Sequence, residues 1–223
     1  QLMPGIDVKM VISGINIGPN LSQDTYHSGT IAAAREAGLY GMPALAFSWS
    51  SFNEDGIERS IEASIPIIES CLELLPEKPA NLKRPHVDVS SPHLSDWPKE
   101  SSKSWSQDPV SALVTAFQHG ALILNVNIPP DWNGKYATTR LGMRWYRGAV
   151  AFDEEKETST FTIGASSIDY DPVERGDCDA DIAGCSSITC LPSWPVMHQL
   201  ALEELLLSWC LENSTEMPIW LYK

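Results

Sequence analysis

Apolar and polar positions fall into blocks that predict a parallel β-sheet covered by helices. Nearly continuous apolar runs at residues 8–12, 43–48 and 121–128 are typical of buried strands. Between the first two, residues 30–37 are small and strongly helix-forming. A strand, a loop, a helix and a second strand within about 40 residues form a βαβ unit, whose two strands have to run parallel. We therefore predict an α/β fold with a mostly parallel sheet and flanking helices.

The rest of the chain predicts two further helical segments and a hairpin. Apolar residues spaced by three and four predict a helix over 56–75, and a second helical segment is expected over 196–211. Two runs rich in β-forming residues flank an acidic turn at 153–157, which predicts a long hairpin over 137–165. Prolines and serines concentrate in 76–110, a composition typical of a surface insertion.

A run of small polar residues separates the first predicted strand from its helix. Residues 13–30 read SGINIGPNLSQDTYHSGT, and Ser28, Gly29 and Thr30 immediately precede the helix. Ligands of open parallel sheets gather beyond the carboxyl ends of the strands, which is where this loop would lie. An anion is favoured there by free N–H groups, a hydroxyl cap and the positive end of the helix dipole. Among anions, a phosphate suits these features best. The same residues also suit a turn and a helix cap that bind nothing.

Two asparagines in this loop add candidate ligands. Asn16 and Asn20 carry amide oxygens of the kind that Mg²⁺ or Mn²⁺ accepts, and amide N–H groups that can hold phosphate oxygens. Asp24 is the only carboxylate within the loop, which is a thin donor set for a divalent cation. His27 could protonate a leaving group, although a surface histidine is the better explanation.

Composition narrows the classes of partner. The net charge is −14, from 15 Lys and Arg against 29 Asp and Glu, and no basic cluster offsets it. We therefore expect no binding to nucleic acid polymers. The apolar stretches are shorter than the ~20 residues that span a bilayer, so no membrane segment is expected either. The five cysteines include no CxxC pair, and nothing at the start resembles a secretory leader, so we expect a reduced, cytoplasmic protein.

Two short motifs have simpler explanations than the chemistry they suggest. Cys178, Cys185 and Cys190 are spaced wrongly for a structural zinc site. Residues 175–177 spell Arg-Gly-Asp, a cell-adhesion tripeptide, and chance explains its presence here.

The polar loop and the residues after it resemble the SurE family. The resemblance is carried without gaps by Ser13-Gly14-Ile15-Asn16, Gly18-Pro19-Asn20-Leu21, Ser28-Gly29-Thr30, Ala32-Ala33-Ala34 and Gly41-Met42-Pro43-Ala44-Leu45-Ala46. Weaker similarity follows in order at 123–129, 139–142 and 169–189. Members of this family are metal-dependent acid phosphatases that hydrolyse nucleoside monophosphates.

The resemblance implies a role for each loop residue. Asn16 matches the family's asparagine metal ligand, for one Mg²⁺ or Mn²⁺. Asn20 and the turn formed by Ser28, Gly29 and Thr30 match the surface that holds the substrate phosphate, with Asn20 and Asn16 also counted as catalytic. The implied fold is a Rossmann-like sheet with an extended hairpin and a C-terminal helical tail exchanged between subunits, so a homodimer or homotetramer is expected.

The chain departs from the family pattern in its metal ligands. The family's paired aspartates and a serine ligand precede the region matched here, and no Asp-Asp pair occurs in the 223 residues. We therefore expect residues 1–223 to be a single SurE-like domain, incomplete at its N-terminus and inactive as it stands. The expected activity of the complete protein is that of a 5′- or 3′-nucleotidase; the alternative is a catalytically silent nucleotide- or phosphate-binding dimerisation module.

Overall fold

A five-stranded sheet forms the centre of the molecule. A computed structural model describes residues 8–77, 108–152, 161–164, 167–198 and 200–222. The strands of the sheet are, in spatial order, β1 (Val11–Ile17), β2 (Ala44–Trp49), β3 (Leu122–Ile128), β9 (Ser186–Pro192) and β4 (Tyr136–Thr139). The β1–β2, β2–β3 and β4–β9 pairs are parallel, and only β3 with β9 is antiparallel among these pairs. The predicted α/β fold with a mostly parallel sheet is confirmed.

Helices cover both faces of the sheet, which explains why β2 and β3 are mostly apolar and are buried along their whole length. On one face, Ile31 and Ala34 of α1 (Gly29–Leu39) pack against Ala44 and Ala46 of β2. On the other face, the intervening β2 residues join the larger core. The elements contributing to that core are α2 (Glu58–Leu74), α3 (Pro109–Gln118), α5 (Glu204–Asn213) and a C-terminal 3-10 turn (Ile219–Tyr222).

The first strand differs from its prediction because it continues into the polar stretch. It begins at Val11 rather than at residue 8, and it ends at Ile17 rather than at residue 12. The pairing with β2 shifts between Ser13 and Asn16, where Gly14 has φ +115°. A Cβ atom on Gly14 would lie 2.3 Å from the Phe47 carbonyl oxygen, so only glycine fits. The strand thus continues through small and polar residues as an irregular strand that, within the described residues, pairs with β2 alone.

Helix α3 was missed by the sequence analysis. Asp108 caps it, its Oδ2 accepting the Ser111 N–H at 2.9 Å, and Pro109 occupies the first turn. The predicted insertion at 76–110 therefore ends inside this helix, and residues 78–107 lie outside the described part of the chain.

The predicted hairpin exists with different bounds. Its strands pair as β5 (Met143–Arg147) with β8 (Ser167–Asp171) and as β6 (Val150–Phe152) with β7 (Phe161–Ile163). The returning arm therefore extends to Asp171 instead of residue 165. Residues 137–139, predicted to belong to the hairpin, lie instead in β4, which pairs with β9 in the main sheet. The acidic turn at 153–157 lies outside the described residues.

Two predicted helices can be compared with the structure, and the start of one of them is corrected. Helix α2 matches the predicted 56–75 segment, whereas the helix expected over 196–211 begins at Glu204. Met197 has φ +74°, a value that a helix cannot contain. A short helix, α4 (Asp177–Ile182), and β9 were not predicted from the sequence. Within the described residues, every helix is too short or too polar to cross a bilayer.

Candidate functional site

Asn16 and Asn20 come together around Ser48, at the carboxyl end of β2. Asn16 lies opposite Ser48 in the β1–β2 pairing. Asn20, which follows the end of β1, donates from Nδ2 to Ser48 Oγ at 2.7 Å. Both predicted site residues therefore lie at the sheet edge where ligands of parallel α/β folds bind.

Two buried asparagines of β3 hold the backbone of Asn20. Asn127 Oδ1 accepts the Asn20 N–H at 2.7 Å, and Asn127 Nδ2 lies 3.2 Å from the Asn20 carbonyl oxygen, to which it donates. Asn125 Nδ2 donates to the same oxygen at 2.9 Å. Asn125 and Asn127 are completely buried, and Asn20 is nearly so. We call Asn125 and Asn127 the asparagine clamp.

The clamp was missed because the sequence analysis treated β3 as an apolar strand. The signal was present: two amides at alternate positions of an otherwise apolar run point to the same face of the sheet. A buried amide has to find hydrogen-bond partners, so this spacing indicates a polar segment crossing that face.

Asn16 is fixed by a bond within its own turn. Its Nδ2 donates to the Gly18 carbonyl oxygen at 2.8 Å, and the Gly18 N–H donates to the Trp49 carbonyl oxygen at 2.9 Å. The Asn16 amide oxygen accepts no hydrogen bond from the residues that the structure describes. This oxygen is therefore available to a ligand.

The start of α1 has the features of an anion site. Ser28 Oγ caps the helix by accepting the Ile31 N–H at 3.2 Å. The N–H groups of Gly29 and Thr30 have no acceptor within the described part of the chain. Gly29 is exposed, and a Cβ atom there would meet nothing within 4 Å. Two donors without an acceptor among the described residues thus lie at the positive end of a helix, beside an exposed glycine.

The described residues do not by themselves fit a divalent cation. Asn16 offers one neutral oxygen. Asp24, the loop carboxylate, is already occupied: its Oδ2 accepts the Leu21 N–H at 3.2 Å and lies 3.4 Å from the Arg144 guanidinium. Across the described ranges, no group of three or more His, Cys, Asp or Glu side chains is placed to hold a metal. Mg²⁺ and Mn²⁺ require several oxygen ligands, usually with carboxylates among them.

A second buried carboxylate, that of Asp177, holds the polar loop by hydrogen bonds. Asp177 Oδ1 accepts the N–H groups of Gly142 at 2.7 Å and Cys178 at 2.8 Å, and its Oδ2 accepts that of Ser22 at 3.0 Å. Asp177 is the aspartate of the Arg-Gly-Asp tripeptide and is completely buried. The tripeptide therefore serves packing, because an adhesion receptor could not reach this carboxylate.

An ionisable cluster adjoins this anchor. Burial raises the pKa of the Asp181 carboxyl to about 6, against the opposite effects of the Ser50 hydroxyl and the Arg144 charge. Burial also raises the pKa of the Tyr146 hydroxyl to about 12. The Tyr146 hydroxyl accepts a hydrogen bond from Arg144, which is itself buried.

Comparisons with known proteins agree with this architecture. The chain is 27% identical over 175 residues to the 5′-nucleotidase SurE of Prochlorococcus marinus, covering 77% of this chain and 49% of the relative. It is 29% identical over 184 residues to the 5′-nucleotidase SurE of Methylococcus capsulatus, covering 81% of this chain and 57% of the relative. The chain thus spans about half the length of these relatives.

A solved structure shares the fold. The crystal structure of the SurE protein from Aquifex aeolicus matches with a TM-score of 0.56 at 23% identity, over 86% of this chain and 62% of that one. The family model described as Survival protein SurE matches residues 1–148, which include the polar loop, α1 and the asparagine clamp. The chain therefore belongs to the SurE family.

Proposed function

We propose that this chain is part of a phosphomonoesterase that hydrolyses nucleoside monophosphates, a nucleotidase. The observation that carries the proposal is the pair of N–H groups of Gly29 and Thr30 at the start of α1, which have no acceptor among the described residues and lie beside open space at the Gly29 Cα. The relatives named 5′-nucleotidase SurE support the choice of substrate. The acidic net charge of −14 makes such a local anion site necessary for binding a phosphate.

In this proposal the chain's own residues bind and orient the phosphate. The Gly29 and Thr30 N–H groups and the Thr30 hydroxyl donate to its non-bridging oxygens, and the helix dipole favours its negative charge. Asn20 retains a second amide hydrogen besides the one that Ser48 accepts, and this hydrogen serves the phosphate. These donors stabilise the charge that builds up on the phosphoryl oxygens in the transition state.

We further propose that the activity requires Mg²⁺ or Mn²⁺, with the free Asn16 oxygen as one ligand. The remaining ligands would have to come from outside the described residues. We accordingly expect the 223-residue chain alone to release negligible phosphate.

The test is phosphate release from AMP or GMP by the protein expressed from its complete coding sequence. We expect turnover with Mn²⁺, loss of turnover with EDTA, and a loss of about 100-fold or more in Asn16→Ala. Saturable AMP binding without turnover would favour the silent binding module instead. Robust metal-dependent turnover by the 223 residues alone would refute the expected inactivity of the isolated chain.

Three broader proposals accompany this function. We propose one SurE-like domain over residues 1–223 with an insertion between α2 and α3, a cytoplasmic location, and a homodimer or homotetramer. Light scattering on the purified protein measures the last of these directly.

A further inference from the structure

We infer that Asn127 is a positioning residue for the phosphate site: it sets the place of Asn20 without touching the substrate. This inference rests on the proposed function, because it gives the clamp a role in binding phosphate. It begins from geometry. Asn127 uses both polar ends of its amide on one residue, accepting the Asn20 N–H at 2.7 Å and donating to the Asn20 carbonyl at 3.2 Å.

The contact is long-range and sealed from water. Asn20 and Asn127 are 107 positions apart, and Asn127 is completely buried. Asn127 is itself fixed within the sheet, because its carbonyl oxygen accepts the Ser186 hydroxyl at 3.1 Å. The position of Asn20 is therefore set by β3 and β9, across the sheet from the strand that leads into the loop.

The clamp extends to the phosphate-binding side through one further bond. With its backbone held by Asn127, Asn20 directs its side chain to Ser48 Oγ at 2.7 Å, and Ser48 lies opposite Asn16. A buried hydrogen-bond network thus joins β3 to Asn20 and Ser48, next to the strand position of Asn16. A shift of about 1 Å in such a donor is enough to lower catalysis strongly.

Only an amide satisfies both bonds at neutral pH. An ionised carboxylate at residue 127 would still accept the Asn20 N–H, but it would place an oxygen against the Asn20 carbonyl oxygen, where Nδ2 now donates. A protonated carboxyl group would restore the missing donor. Burial favours that protonated form, so the defect of Asn127→Asp should disappear as the pH falls.

The surroundings of residue 127 make this readout interpretable. Its contacts and strand partners are uncharged: Asn20, Ser48, Asn125, Ser186 and Ser187. The titratable or charged side chains of the adjoining 3-10 helix (Ser22–Tyr26), β5 and α4 are Tyr26, Asp24, Arg144, Tyr146, Arg147, Asp177, Cys178, Asp179 and Asp181. All of these are present in the wild type, whose pH profile is the baseline.

The experiment compares Asn127→Asp with Val126→Ala in the protein expressed from its complete coding sequence. Val126 is the buried neighbour on the opposite face of β3, so its truncation weakens the core and leaves the clamp intact. We measure kcat and KM for AMP between pH 5 and pH 8, and inorganic phosphate binding by calorimetry. We expect Asn127→Asp to lose about 100-fold in kcat/KM at pH 7.5 and to recover most of it near pH 5, relative to the wild type.

Val126→Ala should lower the melting temperature while leaving kcat/KM within about twofold of the wild type at every pH. Equal losses in both variants, or a loss in Asn127→Asp that does not change with pH, would overturn the inference.

Hydrogen exchange separates failure of the clamp from failure of the proposed function. The Asn20 amide should exchange slowly in the wild type and in Val126→Ala, and at least tenfold faster in Asn127→Asp at pH 7.5. Unchanged exchange in Asn127→Asp overturns the positioning of Asn20 by Asn127. If the wild type neither binds phosphate nor hydrolyses AMP, the proposed function fails. The clamp then has no role in catalysis, even if the exchange of the Asn20 amide shows that Asn127 positions it.

Discussion

The Ser22 N–H donates to the Asp177 carboxylate at 3.0 Å, and this bond joins the polar loop to the first turn of α4. The same carboxylate accepts the Gly142 N–H at 2.7 Å, just before the hairpin strand β5. Three segments distant in the sequence thus meet on one buried side chain. The loop that carries Asn20 is therefore held by Asp177 at the start of α4 and by the asparagine clamp on β3.

Asp177→Ala should destabilise the protein by about 3 kcal/mol, because three N–H groups, those of Ser22 and Cys178 buried and that of Gly142 half-buried, lose their acceptor at once. Asp177→Asn keeps one acceptor oxygen and should lose less. Urea unfolding at pH 7.5 measures both. Asp169→Ala is the matched control, since Asp169 makes an exposed pair with Arg147 and should cost less than about 1 kcal/mol. Equal losses at the two aspartates would contradict the anchoring role.

Asp181 should give the protein a pH-dependent stability. Burial raises its pKa from 3.8 to about 6, so between these values the folded protein holds a proton that the unfolded chain releases. Stability therefore falls as the pH rises through this window, and the full cost, at most about 3 kcal/mol, applies above it. Asp181→Asn should remove this cost and raise the free energy of unfolding at pH 7.5 by about 1–3 kcal/mol.

The control for Asp181 is Asp171→Asn, which removes the same charge from an exposed position in β8. It should change the free energy of unfolding little, both at pH 7.5 and at pH 4. At pH 4, Asp181→Asn should gain almost nothing, because the wild-type carboxyl is then protonated in the folded state. A gain of equal size at pH 4 and pH 7.5 would show that the charge is not the cause.

Gly29→Ala should separate ligand binding from folding. The added methyl group meets no protein atom within 4 Å, and alanine favours the helix, so the melting temperature should stay the same or rise slightly. The methyl group enters the space that we assign to the phosphate, so KM for AMP should rise about tenfold. Gly164→Ala, which also adds a methyl group to open space, is the control. An unchanged KM in Gly29→Ala would place the phosphate elsewhere.

The sequence predicts the sheet well where burial is uniform. β2 and β3 are covered on both faces, so their apolar runs identify them almost to the residue. β1 pairs with β2 alone in the part of the chain that the structure describes, so its polar residues do not mark its end. The continuation through Gly14 depends on a positive φ and on the Phe47 carbonyl beside it, which no local pattern contains.

The candidate site was predicted in part. The cap at Ser28 and the exposed start of α1 follow from local rules for helix ends, and the structure contains both. The asparagine clamp and the Asp177 anchor depend on contacts between distant segments, between residues 20 and 127 and between residues 22 and 177. The resemblance to the SurE family included these segments, but only the folded structure shows that Asn127 bonds Asn20 and that Asp177 bonds Ser22.

The place of β9 between β3 and β4 has a consequence for the order in which the protein matures. On the ribosome, the side of β3 that faces away from β2 stays unpaired until the hairpin, α4 and then β9 have been translated. Until then, β4 has no partner and the Asn127 carbonyl lacks the hydroxyl of Ser186. The clamp that holds Asn20 is thus completed late, and a nascent chain stopped before residue 186 would lack the Ser186 hydrogen bond to Asn127.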